Sequence, residues 1–309
     1  MTQGARPYGK AMPPRVADAS VPTVPTVPLL VRLRGIRPSL SPAEDRVAEQ
    51  VLADPRAAAA LTISELAVAA TTSETTVLRF CRRLGLPGYP QLRLGLAEES
   101  AQPRAGGATD TDISAKDTID DIIAKVAFVD ASAVEETAQQ LDRPSLAAAA
   151  EAVAAAKRVD IYGIGASAIV GTDLQQKLHR IGVVAFAWND PHIALTSATL
   201  LGKGDVAIGI SHSGTTSETI EALDAARSRG ATTMAITNFP VSLLAARADL
   251  VLTTAARETS LRSGATASRI SALTVVDCLY IAVAQRNLPR ARKAVKETRQ
   301  AVASHHLPQ

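Results

Sequence analysis

The stretch Asp205–Gly230 constrains the possible fold more tightly than any other. It opens with Asp205-Val206-Ala207-Ile208-Gly209-Ile210, a short apolar run with β-branched residues, which reads as a buried strand. It closes with Ile220, Ala222, Leu223, Ala225 and Ala226 on a helical face that Gly230 ends. Between them lies Ser211-His212-Ser213-Gly214-Thr215-Thr216-Ser217-Glu218-Thr219. A hydroxyl-rich turn therefore joins the C-terminal end of a strand to the start of a helix. A helix start carries unpaired N–H groups and a partial positive charge, so it favours an anion. Gly214 lets the backbone approach a bound group, and Ser211, Ser213, Thr215 and Thr216 can donate to phosphate oxygens. No lysine lies in the turn, so the P-loop of a nucleotide hydrolase is absent. The chemistry points to a small phosphorylated molecule held without a metal. An ordinary N-capped turn draws on the same residue types.

The strand–turn–helix unit recurs along the second half of the chain. Strand-like runs fall at 159–163, 183–188, 206–211, 232–237 and 249–253. Helix-like stretches separate them at 168–180, 191–201, 217–229 and 242–247. This alternation predicts an α/β architecture with a five-stranded parallel sheet covered on both faces. Ligands in such sheets bind beyond the carboxyl ends of the strands, here the loops 163–168, 189–192, 211–217 and 238–240. The first of these, Gly163-Ile164-Gly165-Ala166-Ser167-Ala168, also fits the loose dinucleotide fingerprint, with Asp190 as a ribose-binding acid. In that alternative neither Ser167 nor the second hydroxyl-rich loop has a task.

The first hundred residues differ. Residues 1–28, with six prolines among small residues, read as a disordered tail. Ser41-Pro42-Ala43-Glu44 is a capping box with proline at the first helical position, and Asp54-Pro55 ends that helix. Thr62-Ile63-Ser64-Glu65 opens a second short helix, and Ser73 caps a third that runs to Leu84 before Gly85. Val77, Phe80, Cys81 and Leu84 sit at i, i+3, i+4 and i+7 and predict its core face. The opposite face then carries Thr75, Thr76, Arg79, Arg82 and Arg83. Two helices, a tight turn and an arginine-bearing third helix make the layout of a helix-turn-helix, expected to meet double-stranded DNA. Small helical protein-binding modules share that layout.

The two cysteines, Cys81 and Cys278, form no metal-spaced cluster and suit a reduced cytoplasm. His305-His306 has no partner acid or cysteine, so neither a metal nor a cofactor is expected. A net charge of +3 permits nucleic-acid binding without arguing for it. The most apolar stretch, 270–285, is broken by Asp277, and no membrane span is expected. Aromatics make up only 3%, so the core must be built from Ala, Val, Leu and Ile. Residues 101–112 read as a linker. Ile119, Ile122, Ile123 and Val126 mark one face of a following helix, and Pro144-Ser145 opens an alanine-rich one. The basic stretch 287–309 reads first as a solvated amphipathic helix, with non-specific contacts to DNA phosphates as the alternative.

Motifs in both halves resemble one family. Leu40-Ser41-Pro42-Ala43-Glu44, Ile63-Ser64-Glu65-Leu66-Ala67, and Ser73 through Gly85 followed by Gly88-Tyr89 look like the N-terminal domain of RpiR/MurR-type bacterial transcriptional regulators. The family pattern Ser-x-x-Thr-Val-x-Arg-Phe-x-x-x-Leu-Gly is met position by position, while Thr71-Thr72 replaces the usual Ala-Gly or Gly-Val. The loops Gly-x-Gly-x-Ser and Ser-x-Ser-Gly-x-Thr resemble the SIS fold of sugar-phosphate isomerases and sugar-phosphate-binding regulators. Gly204-Asp205-Val206, Ile236-Thr237-Asn238, Ala248-Asp249-Leu250, Ser268-Arg269-Ile270 and Asp277-Cys278-Leu279 extend that match. His212 stands where enzymes often carry Gln, and Thr215 where Glu is common.

The resemblance implies a domain order of 29–105 for DNA binding, 106–145 as linker and connecting helix, and 146–286 as SIS domain. It implies a sugar-phosphate effector held by Ser167, Ser211, Ser213 and Thr216, with Gly165, Gly214 and His212 beside them. It implies DNA contacts from Ser73, Thr75, Thr76, Arg79, Arg82 and Arg83, and a homodimer or homotetramer on a palindromic operator. A sugar-phosphate isomerase with an accessory helical domain is the alternative. It would need a base, for which Glu218, Glu221, Glu258, His192 and His212 are available.

Overall fold

The computed structural model describes residues 27–101, 112–258 and 266–303. Most of the proline-rich tail, the linker at 102–111 and His305-His306 lie outside the described residues.

The N-terminal unit contains α1 (Leu29–Ile36), α2 (Pro42–Ala53), α3 (Pro55–Ala60), α4 (Ile63–Ala69), α5 (Glu74–Arg83) and α6 (Tyr89–Ala101). Both capping boxes form. Ser41 and Glu44 close one at α2, and Thr62 and Glu65 close the other at α4. Asp54 ends α2 and caps α3 in the same residue, accepting from the Ala57 N–H at 2.9 Å. Val77, Phe80, Cys81 and Leu84 are buried against Leu33, Val47, Val51, Leu66 and Leu92. Each buried large aliphatic or aromatic side chain there contributes about 1.5–3 kcal/mol of transfer free energy.

The C-terminal unit is a three-layer α/β body. Its strands are β1 (Val159–Tyr162), β2 (Ala185–Trp188), β3 (Val206–Ile210), β4 (Thr232–Thr237) and β5 (Leu250–Thr253). All pairings are parallel, in the order β2-β1-β3-β4-β5. The helices α9 (Ala166–Arg180), α10 (Pro191–Ala198) and α11 (Ser217–Ser228) connect strands, while residues expected to be helical at 242–247 form only a 3₁₀ turn, Ala245–Arg247. Before the sheet come α7 (Ile119–Gln140) and α8 (Arg143–Ala155); after it come α12 (Ala267–Arg286) and α13 (Leu288–Ala301). One face of the sheet packs on α8, α9 and α12 through Val153, Leu174, Leu178, Val275 and Leu279. The other packs on α10 and α11 through Ala194, Ala198, Ala222, Leu223 and Ala226. Alanines at this second layer let the helices lie close to the strands, which is how so large a sheet is covered with so few aromatics.

Several expectations are corrected. α8, expected over 146–156, starts at Arg143, because Asp142 accepts from the Ser145 N–H at 2.8 Å and serves as its cap. The apolar face at the start of α7 is not packed: Ile119, Ile123 and Val126 are exposed, Ile119 by 72%. α7 joins the core only from Val129 onward, where Ala133 and Thr137 are buried too. Its later turns pack on α12. α12 is itself 20 residues long with a mean hydropathy of 1.5, which is long and apolar enough to cross a membrane despite Asp277. Its apolar residues are spent otherwise, in contacts with α7, α8 and α9.

One buried charge ties β1 to its neighbours. Asp160 is fully buried (0% exposed) and accepts five hydrogen bonds. They come from Arg158 Nε and Nη2 at 2.7 and 2.9 Å, the Trp188 indole at 2.8 Å, Ser197 Oγ at 2.6 Å and Tyr162 OH at 3.3 Å. Trp188 lies on β2 and Ser197 on α10, so this carboxylate clamps the edge strand and the helix after it to β1.

Candidate functional site

The strand order reverses between β1 and β3, so their exit loops run to opposite sides of the sheet and leave a crevice between them. Those loops are 163–165 and 211–216, the two glycine- and hydroxyl-bearing turns singled out in the sequence. They do meet. Ala166 and Ser167, which follow the first at the start of α9, and His212 from the second line one cleft with Thr237, Thr254, Ser268 and Arg269.

The helices that start in this crevice differ from most others in the chain. α2, α3, α4, α5, α7, α8 and α10 each have a side-chain cap. α9, starting after Gly165, and α11, starting after Thr216, have none. No N-cap side chain occupies either start; at α9 the Ser167 and Ala168 N–H groups donate to the Ile164 and Gly165 carbonyls at 3.2 and 3.1 Å. At α11 the Glu218 carboxylate bonds its own N–H and Ser217 Oγ, which lowers its pKa. Gly165 has φ +60, a left-handed conformation that glycine adopts freely. Gly214 has φ +66, and a Cβ there would stand 2.2 Å from Ser242 Oγ. Both glycines build the loops rather than touch the cleft.

The hydroxyls of the second loop divide by role. Ser211 is buried (2% exposed), with Oγ 2.9 Å from Thr216 Oγ1 and accepting from the Gly214 N–H at 3.1 Å. It shapes the turn. Ser213 is exposed; its Oγ accepts from Thr215 Oγ1 at 2.9 Å and stands 3.5 Å from Ser211 Oγ. Ser211, Ser213 and Thr216 therefore form one hydroxyl cluster at the start of α11, while Ser167 and His212 line the cleft itself.

His212 is half-buried, packed edge-on to Phe239 with ring centroids 5.7 Å apart. Its Nδ1 is buried without a hydrogen-bond partner among the described residues. Burial lowers its pKa, only partly offset by the Glu258 carboxylate, so the ring is neutral at pH 7. It is not the solvent-turned loop residue its position allows. Arg269, one of the residues lining the cleft, has no hydrogen bond or ion pair among the described residues. Sequence reasoning used Ser268-Arg269-Ile270 only as a family marker; the signal overlooked was a cation one turn into α12. Glu258 accepts from Ser268 Oγ beside the cleft. Glu218, Glu221 and His192 are exposed and do not line it. Asp190 caps α10 through the Ile193 N–H at 2.9 Å, so it is committed to that helix start rather than to a ribose.

At the other end of the chain, α4, a four-residue turn and α5 form the helix-turn-helix. Ser73 caps α5, accepting from the Thr76 N–H at 3.3 Å. Thr75, Arg79, Arg82 and Arg83 are exposed, but Thr76 is not: it is 5% exposed, its hydroxyl 3.1 Å from Ser73 Oγ and accepting from Arg79 Nη2 at 3.4 Å. This corrects its assignment to the open face, since position 76 precedes the Val77 stripe on the inward side. Arg79, Arg82 and Arg83 share a shallow groove with Ser41 and Glu44. The Glu44 carboxylate is spent on the Ser41 N–H and hydroxyl, which, with the two nearby arginines, lowers its pKa. Arg46 braces the turn, donating to the carbonyls of Ala70 and Thr71 at 3.1 Å each. Thr71 has φ +49, unfavourable for a β-branched residue. Thr71→Asn is expected to raise the unfolding free energy by about 0.5–1 kcal/mol in urea titrations, because Asn tolerates this conformation. No gain in stability would mean that the turn relaxes around Thr71 at no cost.

Residues 28–103 match the helix-turn-helix domain of the rpiR family, and residues 152–282 match the SIS domain. An HTH-type transcriptional regulator of Caldanaerobacter subterraneus subsp. tengcongensis is 40% identical over 258 residues, 84% of this chain and 91% of that protein. YbbH, an HTH-type transcriptional regulator of Bacillus subtilis, is 32% identical over 279 residues, covering 90% and 98% respectively. Among solved structures, NanR of Vibrio vulnificus complexed with ManNAc-6P aligns with a TM-score of 0.58 at 33% identity, over 91% of this chain and all of that one.

Proposed function

The chain belongs to the RpiR family of transcriptional regulators, a helix-turn-helix joined to a SIS domain, and on that premise we propose that it binds an operator through α5 and senses a phosphorylated sugar in the β1/β3 crevice. The observation that carries the sensor half is the meeting of the α9 start, after β1, and His212, after β3, on one cleft that also holds Arg269. In this reading the phosphate sits on the Ser211, Ser213 and Thr216 cluster and the start of α11, with Gly214 holding the turn in shape. Ser167, at the uncapped start of α9, and His212 face the sugar, and Arg269 supplies the positive charge. A phosphorylated amino sugar of the ManNAc-6P type, the molecule in the NanR complex, is the first compound to test. The chain pairs with a second copy so that two α5 helices meet a palindromic site, and it works in the cytoplasm with its DNA.

The test is a thermal-shift screen at fixed ionic strength with ManNAc-6P, glucose 6-phosphate, fructose 6-phosphate and ribose 5-phosphate, against sulfate as control. A sugar phosphate at 100 times its Kd should stabilise the native state by about 2.7 kcal/mol and raise Tm accordingly. Arg269→Ala should weaken that compound by about tenfold or more, since a charge-assisted hydrogen bond is worth about 1.5–3 kcal/mol. Uniform silence across the panel, or an Arg269→Ala chain that binds as tightly as the parent, removes the sensor assignment.

The second reading, a sugar-phosphate isomerase, has one observation in its favour: Glu258 and the neutral ring of His212 both border the cleft, where a proton-transferring base would stand. Turnover of any panel compound at enzyme-like rates, abolished by Glu258→Gln, would establish it.

A further inference from the structure

We propose that the three-residue turn after β4, Asn238-Phe239-Pro240, is the mechanical link between the sugar-phosphate cleft and the DNA-binding unit. The proposal rests on the sensor reading above and adds the route by which an occupied cleft is felt at α5. Each residue of the turn makes a different contact. Asn238 donates its backbone N–H to the His212 carbonyl at 3.1 Å, directly behind the ring that lines the cleft. The Phe239 ring packs edge-on to that same imidazole. Pro240 faces the other way, toward α1: a side chain built at Gly35 would start 3.5 Å from Pro240 Cδ.

The Asn238 side chain fixes what lies beneath both. It is buried (4% exposed), and Oδ1 accepts from the Ala256 N–H at 2.7 Å and Thr254 Oγ1 at 3.1 Å. Thr254 lines the sugar-phosphate cleft and also a second cavity, bounded by Val31, Arg34 and Gly35 of α1 and by Glu136 and Gln140 of α7. That second cavity is the seam between the two units. Glu136 holds it closed by accepting from Arg34 on α1, at 3.0 Å, and from Arg257 after β5. α1 in turn is built into the DNA-binding core through Leu29, Leu30 and Leu33, which share a cluster with Val77 and Phe80 of α5.

The chain of contacts from His212 to α5 thus runs through packed or hydrogen-bonded groups. A ligand that draws His212 inward pulls on the Asn238 N–H and the Phe239 ring together. The displacement is delivered to Gly35 by Pro240 and to the seam by residues 254–256. An effector can shift DNA affinity only through contacts that differ between the two states, and this turn is where both sets meet.

The test measures coupling on the full chain, as the ratio of DNA Kd with and without effector. The DNA is a fragment selected from random duplexes by the wild-type chain, and the probe is whichever of the four panel sugar phosphates raises Tm most. The wild-type ratio should depart from one by about 5- to 150-fold. Pro240→Ala, an exposed position that touches neither ligand, should shrink that ratio by about 2- to 30-fold while leaving each separate affinity near wild type. Asn238→Ala should bring it close to one, and Val241→Ala, an exposed neighbour outside the bridge, should leave it unchanged. Should Asn238→Ala fail to fold, Pro240→Ala decides. A wild-type ratio well away from one that Pro240→Ala leaves intact overturns the link and spares the sensor reading. A wild-type chain that binds none of the probes, or binds one with a ratio of one, overturns the sensor reading and takes the link with it.

Discussion

Replacing Asp160 with alanine is expected to cost about 3–5 kcal/mol of unfolding free energy, the scale for removing one partner of a buried ion pair. The carboxylate is fully buried and every group around it is a donor. Without it the Tyr162 hydroxyl, the Trp188 indole and the Ser197 hydroxyl lose their acceptor, and the Arg158 guanidinium loses its counter-charge. Burial, the largest cause of the raised Tyr162 pKa, persists in the variant and disfavours an ionised Tyr162 as a replacement for the lost charge. Function should suffer with stability, since β1 leads directly into the loop that carries Ser167. The measurement is urea denaturation followed by fluorescence of Trp188, with Asp142→Ala as a reference expected to cost about 1 kcal/mol for a lost helix cap. If Asp160→Ala cost no more than that reference, the five-donor network would be a by-product of packing and not a determinant of it.

Replacing Arg79 with alanine is expected to weaken binding to a selected operator fragment by about 10- to 100-fold, while the thermal shift given by a sugar phosphate stays as in wild type. The size follows from the ~1–3 kcal/mol of a bidentate contact between arginine and guanine. Arg79 sits midway along α5, exposed, where a recognition helix meets base edges. Arg82 and Arg83 lie in the last turn beside the start of α2, a position suited to phosphates. Their alanine variants should lose affinity on all sequences alike and flatten the salt dependence by about one unit each. An Arg79→Ala chain that protects its operator as the parent does would show that α5 is not the reading helix.

The outcome at α5 shows where sequence patterns are strong. Four apolar residues at helical spacing identified the buried stripe, because a helix has only one way to hide them. The same spacing misplaced Thr76, which lies at the border of stripe and open face, where its Ser73 and Arg79 contacts decide its exposure. The start of α7 shows the reverse case. Ile119, Ile123 and Val126 are as periodic as the α5 stripe, yet none of the described residues covers them. Periodicity reports that a face exists and not whether a partner reaches it.

In the cleft, the loops at 163–168 and 211–217 were legible because their chemistry is local: a glycine that admits a left-handed turn, a hydroxyl within hydrogen-bonding reach, a helix start. The placing of Arg269 and Thr254 at the cleft was not, because each reaches it through strand order and helix packing, far along the chain from the loops they serve.

Local order along the chain was therefore written in the residues themselves: strand and helix alternation, capping boxes, the arginine face and the two anion-ready turns. These depend on backbone geometry over a few residues, where one sequence has few alternatives. Only the tertiary structure decided which hydroxyls build the second turn and which stand open, that His212 is half-buried and neutral, and that the turn after β4 touches both functional units. Those facts depend on the reversal of strand order between β1 and β3, and on α1 docking against α7, where Arg34 and Glu136 stand 102 positions apart. No local pattern encodes them, because their energy is released only when the whole sheet is assembled.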